Sequence, residues 1–116
     1  MGQPVAMFEF ASTDAERARS FYSELFGWSI APMQDGYSLI DTDAGEGAIP
    51  GGIGAAEEGE APHITVYVRV DDLQASLDKA SSLGGTTIVP PTVLPGDYGS
   101  FAIFADPDGV HVGLWA

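Results

Sequence analysis

Thr13-Asp14-Ala15-Glu16-Arg17-Ala18-Arg19-Ser20-Phe21-Tyr22-Ser23-Glu24-Leu25-Phe26-Gly27 is the stretch on which the fold turns, because a second version of it follows later in the chain. Asp71-Asp72-Leu73-Gln74 opens that second version and Leu83-Gly84-Gly85 closes it. Under one constant offset Asp14 meets Asp72, Leu25 meets Leu83, Gly27 meets Gly85, Ile30 meets Ile88 and Pro32 meets Pro90. Caps, breakers and core positions align together, which marks a duplicated module. Two copies place similar half-sheets side by side, and a binding site is expected in the concavity they share.

Outward from the first copy, Val5 to Phe10 reads as a strand rich in apolar and aromatic residues. Thr13 and Glu16 have capping-box spacing, and Ala18, Phe21, Tyr22 and Leu25 recur at helical intervals up to Gly27, a natural helix stop. Trp28 to Ala31, Tyr37 to Asp41 and Ala48 to Ile53 read as three further strands, separated by turn-rich segments at 32–36 and 42–47. Ala55 to Pro62, with Glu57-Glu58-Gly59-Glu60, reads as a solvated linker.

The second copy repeats the order. His63 to Val70 alternates as a strand, and Leu73, Leu77, Ala80 and Leu83 mark one helix face. Thr86 to Val89, Tyr98 to Ala105 and Val110 to Trp115 complete it, the last two joined by the turn Asp106-Pro107-Asp108-Gly109. Pro90 to Gly96 reads as a stiff connecting loop. The expected architecture is α+β, with two βαβββ modules (about 4–54 and 63–116, linker 55–62) in a single domain spanning 1–116.

Composition narrows the functions. A chain of 116 residues with 45% hydrophobic residues can bury one ordinary core. Seventeen acidic against four basic residues give a net charge of −13, a field that repels nucleic acid and anionic membranes alike. No stretch reads as a signal peptide or a membrane span. The lack of cysteine excludes disulfides and thiolate metal sites and points to a cytoplasmic protein. The Gly-rich run from Gly45 to Gly54 lacks the lysine and spacing of a phosphate loop, and no serine sits in a nucleophile elbow.

Three segments together resemble the vicinal oxygen chelate superfamily, which includes glyoxalase I, bleomycin-resistance proteins, fosfomycin-resistance enzymes and extradiol dioxygenases. They are Ala18-Arg19-Ser20-Phe21-Tyr22-Ser23-Glu24-Leu25-Phe26-Gly27-Trp28, Val70-Asp71-Asp72-Leu73, and Phe104-Ala105-Asp106-Pro107-Asp108-Gly109. The resemblance covers essentially the whole chain. It implies a curved, mostly antiparallel eight-stranded sheet around a cavity, a small-molecule ligand and a homodimer.

It also implies where the metal enzymes of that superfamily hold their divalent ion. Those positions fall on Met7, Thr65, Gly113 and a residue near Gly51. None offers the imidazole or carboxylate such an ion needs, so no metal and no other cofactor is expected. Glu9, His63 and His111 lie two residues from those positions and form an alternative facial triad for a lyase, isomerase or dioxygenase. Each is displaced by one pleat, roughly 6.6 Å along its strand.

Without a metal, Glu9 is the candidate acid/base or ligand anchor. If Phe8 and Phe10 pack under the first helix, period-2 geometry turns Met7 and Glu9 to the other face. Met7, Glu9, Thr65, Tyr67, Gly113 and Trp115 are the candidate ligand-binding residues, with Trp28 as a further aromatic wall. The scant bulk at Gly51, Ile53 and Gly113 suggests an open centre that suits an organic molecule. The sequence therefore supports binding of a small organic molecule, with lyase- or isomerase-type conversion if the protein is an enzyme. The alternative is sequestration of a cationic drug or metabolite.

Overall fold

The structure, a computed structural model, describes residues 2–33 and 36–116; Gln34 and Asp35 of the expected 32–36 turn lie outside them. The elements run β1 (Val5–Ser12), α1 (Ala15–Phe26), β2 (Ser29–Pro32), β3 (Ser38–Asp41), β4 (Gly51–Ala55), β5 (His63–Arg69), α2 (Leu73–Ser82), β6 (Thr86–Val93), β7 (Ser100–Ala105) and β8 (His111–Trp115). This is βαβββ twice, an α+β chain of eight strands and two helices among the described residues.

Two compact units are present, residues 7–65 and residues 1–6 with 66–116. In the first, the strands lie in the order β2-β3-β4-β1, with β4 parallel to β1 and the other neighbours antiparallel. In the second the order is β5-β8-β7-β6, with β8 parallel to β5. Each module thus brings its last strand back beside its first, and that parallel pairing decides which side chains share a face.

The repeat is visible in the helix caps. Asp14 accepts the backbone N–H of Arg17 at 3.0 Å, and Asp72 accepts that of Ala75 at 3.0 Å. Each carboxylate satisfies a donor that the first helical turn leaves unpaired. The cap of α1 is Asp14 rather than Thr13, one residue later than the capping-box spacing suggested. Gly27 ends α1 in the left-handed conformation (φ 71°) with its N–H on the Ser23 carbonyl, as a glycine after a helix readily does.

Three expectations are corrected. β4 begins at Gly51 instead of Ala48. β6 continues through Pro90 and Pro91 to Val93, where a loop was expected; it ends its strand order, and an edge strand tolerates residues that lack an N–H. Leu83 caps α2 and is exposed, so the buried face of that helix rests on Leu73 and Leu77.

Val70, Leu73, Leu77, Ala102 and Leu114 form the core of the second unit, flanked by Val68 and Phe104. The first unit packs differently. Phe10 stacks on Tyr22 of α1 at 4.5 Å, while Phe8 meets Trp28 at 5.7 Å and Trp28 meets Phe26 at 4.8 Å. Ile40 and Ile53 are buried in this unit, whereas no α1 residue is. Among the described residues no helix is long and apolar enough to cross a membrane.

Candidate functional site

Phe8 and Phe10 lie toward α1, so the intervening Glu9 faces the opposite side of β1, as alternation requires. In the parallel pairing of β1 with β4, Phe8 is level with Gly51, Glu9 with Gly52 and Ala11 with Gly54. The face that carries Glu9 therefore continues onto β4 as Gly52 and Gly54, with no side chain on either.

β3 supplies what covers that bare stretch. Ser38 is fully buried and accepts the Arg19 guanidinium of α1 at 3.3 Å, which puts Ser38 on the helix side and Tyr37 on the other. A Cβ on Gly52 would collide with the Tyr37 hydroxyl, and one on Gly54 would stand 3.3 Å from the Tyr37 ring. The phenol reaches across β4 and donates to Glu9 Oε2 at 2.7 Å, the usual length of an O–H···O hydrogen bond. Two glycines spaced two apart are the sequence signal of this arrangement, yet sequence reasoning did not find Tyr37.

This geometry revises the expected small-residue centre. Gly51 and Ile53 belong to the helix side, level with Phe8 and Phe10, and Phe8 itself would collide with a Cβ on Gly51. The bare positions beside Glu9 are Gly52 and Gly54, and Tyr37 already occupies them. Trp28 likewise belongs to the aromatic cluster under α1 and not to the Glu9 face. Met7 is half-buried on the Glu9 side of β1, and Thr65 on β5 is buried.

The second unit uses its parallel strand pair in the same way. Tyr67 is level with Gly113 and Arg69 with Trp115. Tyr67 is buried, and its ring fills the space that a Gly113 side chain would need. The open centre expected at Gly113 is thus closed by Tyr67. The Arg69 guanidinium lies 4.8 Å from the centre of the Trp115 ring, and the Trp115 indole N–H donates to the Tyr98 carbonyl at 2.7 Å.

Among the described residues no group of three His, Asp or Glu side chains that could hold a metal ion is found; Glu9 and His63 belong to the first unit and His111 to the second. His63 is exposed with Nδ1 2.9 Å from the Ala61 carbonyl, and His111 is exposed at the start of β8. Met7, Thr65, Gly113 and Gly51, where the resemblance implies metal ligands, offer a thioether, a hydroxyl and no side chain on either glycine, donors that suit a divalent ion poorly. A shallow recess of about 200 Å³ lies beside the start of α1, lined by Ser12, Asp14, Arg17, Ala18, Phe21 and Tyr22. It is on the helix side of β1, opposite Glu9, and its Asp14 and Arg17 are engaged in capping the helix and pairing at 3.8 Å.

The family model described as Glyoxalase/Bleomycin resistance protein/Dioxygenase superfamily matches residues 5–114. The chain is 35% identical over 113 residues to a Mycobacterium bovis protein named "Putative glyoxylase CFP32", covering 92% of the chain and 43% of that protein. It is 30% identical to a glyoxylase-like domain-containing protein of Didymella fabae, covering 90% of the chain and 87% of the relative. The anthracycline biosynthesis protein DnrV of Streptomyces peucetius is 30% identical, with 95% of the chain and 46% of that protein covered. The chain therefore spans less than half the length of two of these three relatives. In fold it is similar to methylmalonyl-CoA epimerase from Mycobacterium tuberculosis (TM-score 0.68, 18% identity, 96% of this chain and 85% of that one). It is also similar to the Mn(II)-bound glyoxalase from Novosphingobium aromaticivorans (TM-score 0.63, 18% identity, 98% of this chain and 40% of that one). With the family model spanning almost every residue and the βαβββ repeat present in both halves, the chain belongs to the glyoxalase/bleomycin-resistance/dioxygenase superfamily.

Proposed function

We propose that this protein binds a small organic molecule on the face of its first module that carries Glu9, that Glu9 engages the ligand directly, and that no divalent metal ion takes part. The observation that carries this reading is the 2.7 Å bond from Tyr37 to Glu9 across two glycines. A carboxylate held by a phenol keeps a fixed orientation, which suits it to accept a hydrogen bond or a proton from a ligand. The donor set of Met7, Thr65 and Gly113 at the superfamily's metal positions supports the metal-free part.

The test begins with a thermal-shift screen of cationic glycopeptides, amino sugars and small carbonyl metabolites. For a ligand that Glu9 anchors through a positive charge, Glu9→Gln is expected to cost about 1.5–3 kcal/mol of affinity, roughly ten- to hundredfold. For a substrate from which Glu9 removes a proton, the same variant retains binding and loses turnover. The net charge of −13 favours the first of these, sequestration of a cation. Unchanged affinity together with unchanged turnover would assign Glu9 to structure alone.

We also propose that the protein is a homodimer. Phe21, Leu25 and Phe26 of α1 are each more than half exposed, an apolar surface that a second copy would cover. Sedimentation at micromolar concentration is expected to give twice 12.1 kDa. A persistent monomer at physiological salt would contradict it.

A further inference from the structure

Arg69 differs from Arg17 and Arg19, whose side-chain partners the structure shows, and from Lys79, whose place in its helix accounts for its charge. Arg17 pairs with Asp14 at 3.8 Å, and Arg19 donates to Ser38 at 3.3 Å. Lys79 lies in the last turn of α2, where a positive charge complements the negative end of the helix dipole. Arg69 is exposed, and among the described residues its side chain has neither a carboxylate partner nor a hydrogen-bond acceptor. In a chain with seventeen acidic residues this is a feature in need of an explanation.

The guanidinium is nevertheless held in place. Its Cζ lies over the Trp115 ring, 4.8 Å from the centroid, and Trp115 is fixed by its own N–H on the Tyr98 carbonyl and by its register beside Arg69. Backbone bonds anchor both ends of this unit: Arg69 N–H donates to the Pro4 carbonyl and Val70 N–H to the Trp115 carbonyl, each at 2.9 Å. A cation–π contact requires no hydrogen-bond acceptor, so it leaves the five guanidinium N–H donors available for a ligand. A pre-oriented fork of donors on an aromatic platform is what an oxyanion recognises in a bidentate manner.

We propose that Arg69 and Trp115 form a recognition element for the carboxylate or phosphate of a small organic molecule. Tyr67, level with Gly113 on the same face, is buried, so the exposed part of this face is the Arg69–Trp115 pair itself, and its aromatic platform suits a ligand whose oxyanion is joined to a planar body. This proposal stands on the second module alone and does not depend on the role of Glu9.

The test is NMR of the ¹⁵N-labelled full chain, following the Arg69 Nε–H and Trp115 indole N–H signals, assigned by their loss in Arg69→Met and Trp115→Phe. Benzoate, acetate, inorganic phosphate and, as control, sodium chloride are titrated at constant ionic strength. Benzoate is expected to move both signals along a saturable curve, acetate with at least severalfold weaker affinity, and chloride without saturation. Phosphate saturating more tightly than benzoate would support the element and assign it to phosphate. In Arg69→Met the Trp115 shift is expected to vanish while signals from the α2 core stay in place; Arg69→Lys is expected to weaken it at least severalfold, since an ammonium cannot present the fork. A saturable Trp115 shift that survives Arg69→Met, or responses to all three anions that match chloride, would overturn the proposal and leave the pair as packing between β5 and β8.

Discussion

Replacing Leu77 with alanine is expected to lower the unfolding free energy by about 2–5 kcal/mol. Leu77 is 1% exposed at the middle of α2 and packs in the cluster with Val70, Leu73, Ala102 and Leu114. Removing its branch forfeits the transfer energy of the lost methyl groups and leaves a cavity against Ala102 of β7 and Leu114 of β8. Urea titration followed by circular dichroism measures the change. Leu83 has the same composition and ends the same apolar pattern in the sequence, yet it is 69% exposed, so Leu83→Ala is expected to stay within about 0.5 kcal/mol of the parent. Equal losses at the two positions would contradict the assigned face of α2.

Alanine at Gly113 is the second large effect, and its cause is the opposite one. A Cβ there would overlap the Tyr67 ring, standing 2.7 Å from its Cγ and closer still to Cδ2 and Cε2. Tyr67 is buried and held level with Gly113 on the adjacent parallel strand, so the ring gives way only by leaving its rotamer or by bending β5. Overpacking of this kind costs about 1–3 kcal/mol. The same denaturation measurement serves, with a change in near-ultraviolet dichroism reporting the moved ring. Gly2→Ala, whose Cβ meets nothing within 4 Å, is the control and is expected to be near neutral.

The sequence made the repeat legible because caps and breakers are local signals. An aspartate that accepts the N–H three residues on, and a glycine able to turn left-handed, act within one helical turn, so Asp14, Asp72 and Gly27 stand out without any knowledge of the fold. The placement of Glu9 opposite Phe8 and Phe10 was legible for the same reason, since strand alternation is local. β4 was harder: Gly51-Gly52-Ile53-Gly54 has a single side chain larger than hydrogen, and a run without alternation cannot be phased. Its two faces separate only once the parallel pairing with β1 sets Gly51 beside Phe8 and Gly52 beside Glu9.

Tyr37 and Arg69 were not among the candidate ligand-binding residues, because what the structure shows of each is a non-local partner. Tyr37 precedes a four-residue strand, and its relation to Glu9 passes through β4, which separates β3 from β1. Arg69 meets Trp115 only because β8 returns parallel to β5. The expected open centre failed on the same ground. Glycine leaves room, but the sequence does not say which neighbour fills it, and here Tyr37 fills the space at Gly52 and Tyr67 that at Gly113.

The central claim, a ligand engaged by Glu9 without a metal, is tested most directly by titrating a ligand from the thermal-shift screen into the protein with and without EDTA, and into Glu9→Gln. The account predicts that EDTA leaves affinity and any turnover unchanged and that Glu9→Gln loses roughly ten- to hundredfold in affinity, or loses turnover. Activity or binding abolished by EDTA and restored by one equivalent of zinc, nickel, manganese or iron(II), or a Glu9→Gln protein indistinguishable from the parent in both respects, would contradict it.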